Sequence, residues 1–182
     1  MSSRRVTLWS SALAVALIAT PAVIDWSPRL IWNASASVPV GLYAVHQIDR
    51  TQIGDLVAVQ APDELATFLA ARGYLPVDVP LLKHVVASPG AEVCRIGCRI
   101  TVNGNPLGMA RARDRMGRDL PVWRGCRVVT GGEVFLMNPD APDSLDGRYF
   151  GPLPASTITA RLVPLWTDEA GDGRFIWRGG AP

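Results

Sequence analysis

The chain has 182 residues, of which 48% are hydrophobic and 19% are charged, and its formal net charge is +2. This composition excludes a disordered chain, and the small net charge argues against a nucleic-acid binder that works by bulk electrostatics. The length suggests one domain that can bury a core without help from a metal. Of the 18 lysine and arginine residues, only Lys83 is a lysine. This matters because a lysine side chain can lose its proton at a usable pH and an arginine side chain cannot.

Residues 1–26 are predicted to form an N-terminal transmembrane anchor or a leader. The stretch 6–24 carries no charge and is about as long as a helix that crosses a bilayer. Arg4 and Arg5 precede it, which favours a cytoplasmic N-terminus and places the remaining chain across the membrane. A cleaved signal peptide and a buried core helix are the alternatives; Pro21 makes the nearby small residues a poor cleavage site.

The rest of the chain is predicted to be mostly β, with one or two short helices. Hydrophobic alternation and short apolar runs indicate strands after a short connector over 26–33. The predicted strands are 41–48, 55–60, 81–87, 92–96, 99–102, 134–137 and 158–166. Apolar residues at helical spacing predict a helix over 62–73, and Asn103-Gly104 predicts a tight turn. The domain spans 27–168, and the Gly-rich tail 169–182 is predicted to be flexible.

Residues 104–130 are predicted to form an arginine-rich insertion. Six arginines between 108 and 127 are balanced only by Asp114 and Asp119. Such a run is most often a solvated loop. The alternative is a patch that binds acidic lipid headgroups or an acidic partner.

Three cysteines, Cys94, Cys98 and Cys126, would form one disulfide in an oxidising compartment and leave one thiol over. A Cys94–Cys126 bond would close a long loop, and a Cys94–Cys98 bond would cross a tight hairpin. The sequence does not distinguish between these two disulfides, and three cysteines with free thiols are the third possibility. Without a Cys-x-x-Cys pair or a nearby histidine, the sequence predicts no zinc site, and no other metal or cofactor is expected.

The two histidines, His46 and His84, provide little material for a histidine-based catalytic site. His84 adjoins Lys83 in a predicted strand, where neighbouring side chains point to opposite faces. Both histidines are therefore predicted to be structural or to lie on the surface.

Four motifs follow one another in a recognisable order. They are Ser-Ala-Ser-Val-Pro-Val-Gly-Leu-Tyr at 35–43, Ile-Gly-Asp-Leu-Val-Ala-Val at 53–59, Leu-Lys-His-Val-Val-Ala-Ser-Pro-Gly at 82–90, and the run 138–151 that contains Asp-Ser-Leu-Asp-Gly-Arg. In this order they resemble the type I signal peptidase family, and the first motif looks like its TraF-type conjugative-transfer branch. His84, Ala91 and Gly147 depart from the family pattern, which usually has arginine, an acid and serine there.

The resemblance implies a signal-peptidase-like β fold and a Ser-Lys dyad, with Ser37 as the nucleophile and Lys83 as the base. The residues around Lys83 suit this role, because an apolar strand without acids lowers a lysine pKa from its usual value of roughly 10.4. The Ser37 N–H and the Ser35 hydroxyl are the candidate oxyanion donors. By the same resemblance, Ser144 orients the amine, and Asp146 and Arg148 form an ion pair that braces the site.

The expected function is that of a serine endopeptidase in the inner membrane, with a single membrane pass and a periplasmic catalytic domain. The resemblance further implies a substrate that is a pilin-type precursor with small residues before the cut, processed for conjugative transfer by hydrolysis or by cyclisation. One alternative is a general type I signal peptidase that removes leader peptides. Others are an inactive anchored scaffold of a secretion complex and a self-cleaving domain of the Ser-Lys repressor type.

Overall fold

The computed structural model describes residues 3–23 and 29–179. Helix α1 spans Ser3–Val23. None of the helices within these ranges combines the length and the apolarity that a bilayer crossing requires. Residues 1–2 and 24–26 of the predicted anchor lie outside the described residues, and the anchor stays a prediction.

The described residues beyond α1 fold mainly into two antiparallel sheets. The strands are β1 (Leu30–Asn33), β2 (Val40–His46), β3 (Leu56–Val59), β4 (Leu81–Ala87), β5 (Glu92–Ile96), β6 (Arg99–Val102), β7 (Asn105–Met109), β8 (Gly125–Val128), β9 (Glu133–Met137), β10 (Leu153–Pro154), β11 (Ile158–Asp168) and β12 (Ile176–Trp177). The helices are α2 (Asp63–Ala71) and α3 (Gly147–Phe150), with a 3-10 turn at Ala155–Thr157. The prediction of a mostly β domain is confirmed, and the predicted strands and helix are present within two residues of their expected ends.

The larger sheet has the order β1-β2-β11-β3-β4-β9-β10, with β12 paired to β11, and the smaller sheet has the order β7-β6-β5-β8. Strand β4 lies between β3 and β9, and its Val85 belongs to one buried cluster with Val57 and Val59 of β3 and Leu136 of β9. Val57, Val59 and Val85 in this region have no exposed surface. Lys83 pairs in register with Val57, and the strand therefore carries the lysine into the protein interior.

The smaller sheet packs against β9, where Val93, Ile100, Phe135 and Met137 share one buried cluster. Strands β5 and β8 place Cys94 opposite Cys126, and a disulfide joins these two residues. Cys98 is a free, exposed thiol. The structure thus selects one of the pairings that the sequence left open.

Two segments contain strand pairing that the sequence did not predict. The connector 26–33 is not a plain linker over its second half, because Leu30–Asn33 pair with β2 as strand β1. Four residues are too few to produce a visible alternation. In the tail predicted to be flexible, β12 pairs with β11, and Phe175 stacks on Trp32 with 5.9 Å between ring centroids.

Candidate active site

A short loop between β1 and β2 carries Ser35 and Ser37, and the buried side chain of Asn33 holds it. The Asn33 Nδ2 amide donates to the carbonyls of Ser35 at 2.7 Å and of Val38 and Pro39, both at 3.1 Å. Its Oδ1 accepts from the Ser35 N–H at 3.0 Å and from the Ser35 hydroxyl at 2.8 Å. One side chain therefore connects both ends of the loop around Ser37. Asn33 is not among the predicted site residues, because it lies in the segment predicted to be a connector.

The remaining residues of the first motif fix the end of this loop. The buried Tyr43 hydroxyl donates to the Pro39 carbonyl at 2.6 Å. Gly41 has a φ of 150°, and a Cβ there would lie 2.2 Å from the Trp166 carbonyl oxygen. Only glycine fits both the backbone angle and this close approach. The spacing of serine, proline, glycine and tyrosine thus reflects the shape of one loop.

Ser37 is half-buried, and its Oγ lies 3.1 Å from the Oγ of Ser35. Because Ser35 has a single hydroxyl hydrogen, its bond to Asn33 leaves the Ser35 oxygen to accept from Ser37. Within the described ranges, no group accepts the backbone N–H of Ser37. This N–H remains available to a ligand.

Lys83 is 4% exposed on β4, and its Nζ donates to the hydroxyl of Ser144 at 3.0 Å. Burial lowers the pKa of Lys83 to about 8; the carboxylate of Asp146 raises it in part, and the guanidinium of Arg148 lowers it further. The loss of solvation outweighs the nearby carboxylate. A neutral amine is therefore accessible close to neutral pH.

Asp146 and Arg148 form a buried, fully bonded ion pair. The two side chains are 0% and 1% exposed, with 2.7 Å between Arg148 Nη2 and Asp146 Oδ2. Arg148 Nη2 also donates to the carbonyls of Asn138 at 3.1 Å and Ala141 at 2.7 Å. These bonds hold the turn that presents Ser144 to Lys83.

Asn138 fastens the strand on both sides of Lys83. Its Nδ2 donates to the Leu82 carbonyl at 2.9 Å, and its Oδ1 accepts from the His84 N–H at 3.2 Å. The His84 ring Nδ1 lies 3.2 Å from the same Oδ1. His84 borders a separate hollow together with Arg161, in agreement with the predicted division of His84 and Lys83. The sequence contained Asn138 in a motif but no signal for this bridging role.

One cleft of about 640 Å³ brings Ser35, Ser37, Lys83 and Ser144 together. In the part of the chain that the structure describes, no hydrogen bond directly joins Ser37 Oγ to Lys83 Nζ. Such bonds are often long without substrate and tighten when it binds. The arrangement combines a hydroxyl, a buried amine of low pKa and an open backbone N–H, which are the groups required for acyl transfer.

Gly147 occupies the position where serine is usual. A Cβ at this position would lie 2.6 Å from Phe135 Cε2 and 2.8 Å from the Leu136 carbonyl oxygen. This close packing explains why glycine stands here in place of the serine that is usual in the family. It leaves Asp146 and Arg148 in place.

The chain is similar to several known proteins. A family model described as "Signal peptidase, peptidase S26" matches residues 3–166. "Conjugal transfer protein TraF" of Agrobacterium fabrum is 38% identical over 146 residues, which are 74% of this chain and 81% of that protein. A protein of the same name from Agrobacterium tumefaciens is 35% identical over 179 residues, 92% of this chain and 98% of its own. A signal peptidase I structure from Enterococcus faecalis is 19% identical, with a TM-score of 0.40, over 64% of this chain and 100% of that one.

Proposed function

The chain belongs to the signal peptidase S26 family, and on that premise we propose that it is a serine endopeptidase with Ser37 as nucleophile and Lys83 as general base. The observation that carries the proposal is the cleft that Ser37 shares with a buried lysine whose pKa falls to about 8. A hydroxyl is a weak nucleophile until a base removes its proton. Lys83 is the one lysine of the chain, and no arginine can replace it as a base.

In the proposed first step, the neutral Lys83 amine accepts the hydroxyl proton of Ser37 as Ser37 Oγ attacks the scissile carbonyl. Ser144 accepts one amine hydrogen at 3.0 Å and so orients the nitrogen lone pair. The developing oxyanion is stabilised by the Ser37 N–H. The Ser35 hydroxyl becomes a second donor when it rotates away from Asn33.

The tetrahedral intermediate collapses when the leaving amine takes a proton from the Lys83 ammonium. The carbonyl carbon is then bound to Ser37 Oγ as an ester. A water molecule, or the amine at the N-terminus of the substrate, gives a proton to neutral Lys83 and attacks this ester. The bond between the carbonyl carbon and Ser37 Oγ then breaks, and Ser37 Oγ takes the proton back from the Lys83 ammonium. Water yields a free carboxylate, and the internal amine yields a cyclic product with one water fewer than the linear one.

The proposed substrate is a pilin-type precursor with small residues before the cut, processed for conjugative transfer. The names of the relatives, which are conjugal transfer proteins, support the role in conjugative transfer, and the pilin-type substrate follows from the resemblance to the TraF-type branch. We further propose a single inner-membrane anchor over 1–26 and a periplasmic catalytic domain. The Cys94–Cys126 disulfide is consistent with an oxidising compartment, and Arg4 and Arg5 precede the apolar stretch. No nucleic acid or cofactor enters the proposed reaction.

Active-site variants test the proposed dyad. The full-length chain is co-expressed with a pilin-type precursor, and processing is followed by intact mass. Ser37→Ala and Lys83→Arg are each expected to abolish processing, because Arg cannot act as a base, while circular dichroism stays that of the wild type. Ser156→Ala, which alters an exposed serine of the 3-10 turn, is the matched control with normal processing.

The masses also separate the alternatives. A product that lacks one further water indicates cyclisation, and the linear mass indicates hydrolysis. Cleavage of many exported precursors without preference would favour a general signal peptidase. Near-normal processing by folded Lys83→Arg would exclude the dyad. A wild-type protein that cleaves no precursor while binding other secretion components would favour the scaffold.

A further inference from the structure

The arginine-rich segment has a defined structure next to the dyad. We call residues 110–120 the arginine loop. Its two arms are joined by backbone bonds from Leu120 N–H to the Ala112 carbonyl at 2.9 Å and from Asp114 N–H to the Arg118 carbonyl at 3.0 Å. The loop is therefore a compact turn whose backbone is held by its own hydrogen bonds.

Contacts with the end of α2 hold the arginine loop in place. Arg118 Nη1 donates to the Arg72 carbonyl at 3.0 Å, and Arg72 Nη1 donates to the Asp119 carbonyl at 2.6 Å. The Tyr74 hydroxyl donates to the Asp114 carboxylate. These bonds make the loop a fixed wall of the cleft that contains Ser37 and Lys83.

The wall has more cationic than anionic side chains. Five arginines and three aspartates line the cleft: Arg72, Arg111, Arg113, Arg115, Arg118, Asp114, Asp140 and Asp143. Arg111 and Arg115 share one carboxylate, that of Asp143, at 2.7 Å and 2.6 Å. Their side chains nevertheless stay 51% and 80% exposed. Two guanidinium groups are thus oriented by one acid and keep N–H donors that a ligand can reach.

This pair lies next to the reacting groups. Asp143 directly precedes Ser144, whose hydroxyl accepts from Lys83. Arg111 and Arg115 line the same cleft as Ser37, so a peptide bound in this cleft can contact them. A guanidinium binds a carboxylate through paired N–H···O bonds, which favours it over a neutral amide of the same shape.

Resting on the proposed peptidase function, we propose that the arginine loop is a substrate subsite for a peptide carboxylate close to the cut. An aspartate or glutamate side chain and a free C-terminal carboxylate share this chemistry. An acidic lipid headgroup is the less favoured ligand, because the loop lines the cleft of Ser37 and is bonded there to Arg72 and Tyr74. The subsite selects substrates and takes no part in proton transfer.

Binding to a catalytically inactive protein tests the subsite without depending on cleavage. Full-length Ser37→Ala is titrated with alanine-rich peptides that differ in one feature. The peptides of the first pair have an amidated C-terminus and differ only in carrying glutamate or glutamine next to the central alanines. This pair is made twice, with the differing residue before the alanines and after them. A second pair carries a free or amidated C-terminus without glutamate. The carboxylate peptide of at least one pair is expected to bind about tenfold more tightly than its neutral partner, and the pair that responds identifies the source.

Arginine variants in the Ser37→Ala protein then test where the carboxylate binds. Arg111→Gln with Arg115→Gln is expected to remove the preference, and Arg115→Glu is expected to favour a peptide with lysine in place of glutamate. Arg174→Gln, at an 88% exposed arginine of the tail, is the matched control and should keep the preference. Circular dichroism checks that each variant is folded.

The outcomes separate the two proposals. Equal binding of charged and neutral peptides, or a preference unchanged by the double variant, would overturn the subsite. Arginine-dependent binding to vesicles with anionic lipid, without peptide discrimination, would overturn it in favour of a lipid contact. A carboxylate preference in a protein whose wild type cleaves nothing would leave the subsite intact and refute the peptidase.

Discussion

Two ion-paired regions flank the turn at 138–144, and they differ in burial. On one side, Asp146 and Arg148 are almost fully buried, and Arg148 bonds the backbone carbonyls around it. On the other side, Arg111 and Arg115 pair with Asp143 while keeping half or more of their side-chain surface exposed. The same charges and similar distances therefore occur in very different solvent environments.

The difference indicates different roles for the two regions. A buried ion pair is costly to break because the remaining charge stays desolvated, so the Asp146–Arg148 pair fixes the position of Ser144 beside Lys83. An exposed pair contributes little to stability, but its remaining donors can contact a ligand. Substitutions in the buried region should change stability and the rate of reaction, and those in the exposed region should change substrate preference.

The largest stability effect is expected for Arg148→Met. It leaves the Asp146 carboxylate buried without its partner, which should lower the free energy of unfolding by about 3–5 kcal/mol. Arg113→Gln is the control, because Arg113 pairs with Asp119 at 3.0 Å in an exposed position and should cost less than about 1 kcal/mol. Denaturant unfolding measures both. If Arg148→Met and Arg113→Gln lower the free energy of unfolding by equally small amounts, the proposed difference between the buried and the exposed region is wrong.

The disulfide is expected to have the next largest effect on stability. Cys94 and Cys126 are 32 residues apart in sequence, and the arginine loop lies between them. Reducing this bond or introducing Cys126→Ser should lower the free energy of unfolding by about 2–4 kcal/mol. Cys98→Ser, at the free and exposed thiol, should leave stability unchanged. A larger effect at Cys98 would contradict the observed pairing.

A substitution of Asn33 tests how far buried polar contacts position Ser37, the proposed nucleophile. Asn33→Leu removes the five bonds that shape the loop around Ser37, and it should lower kcat by roughly 10- to 100-fold, the loss expected for about 1.5–3 kcal/mol. KM should change little, because Asn33 does not line the described cleft. Asn105→Leu, at an exposed asparagine of β7, is the control. A rise in KM with an unchanged kcat would contradict a positioning role.

Much of the fold could be predicted from the sequence, because β4 and β11 have apolar patterns that are typical of strands. The family motifs also indicated Ser37 and Lys83, which the structure places in one cleft. Asn33 could not be predicted, since its role depends on carbonyls that meet only when the loop closes. Arg72, Tyr74 and Asp143, which bond to the arginine loop, are distant from it in sequence, so composition could not predict these contacts.

The pH dependence of cleavage tests the central claim most directly, namely that neutral Lys83 activates Ser37. In the proposed mechanism the amine is reactive and the ammonium is not, and the pKa of Lys83 is lowered to about 8. With a peptide that does not titrate over the range, kcat/KM should therefore rise about tenfold per pH unit below that value and level off above it. A rate that is constant from pH 6 to 9, or that falls as pH rises, would contradict the claim.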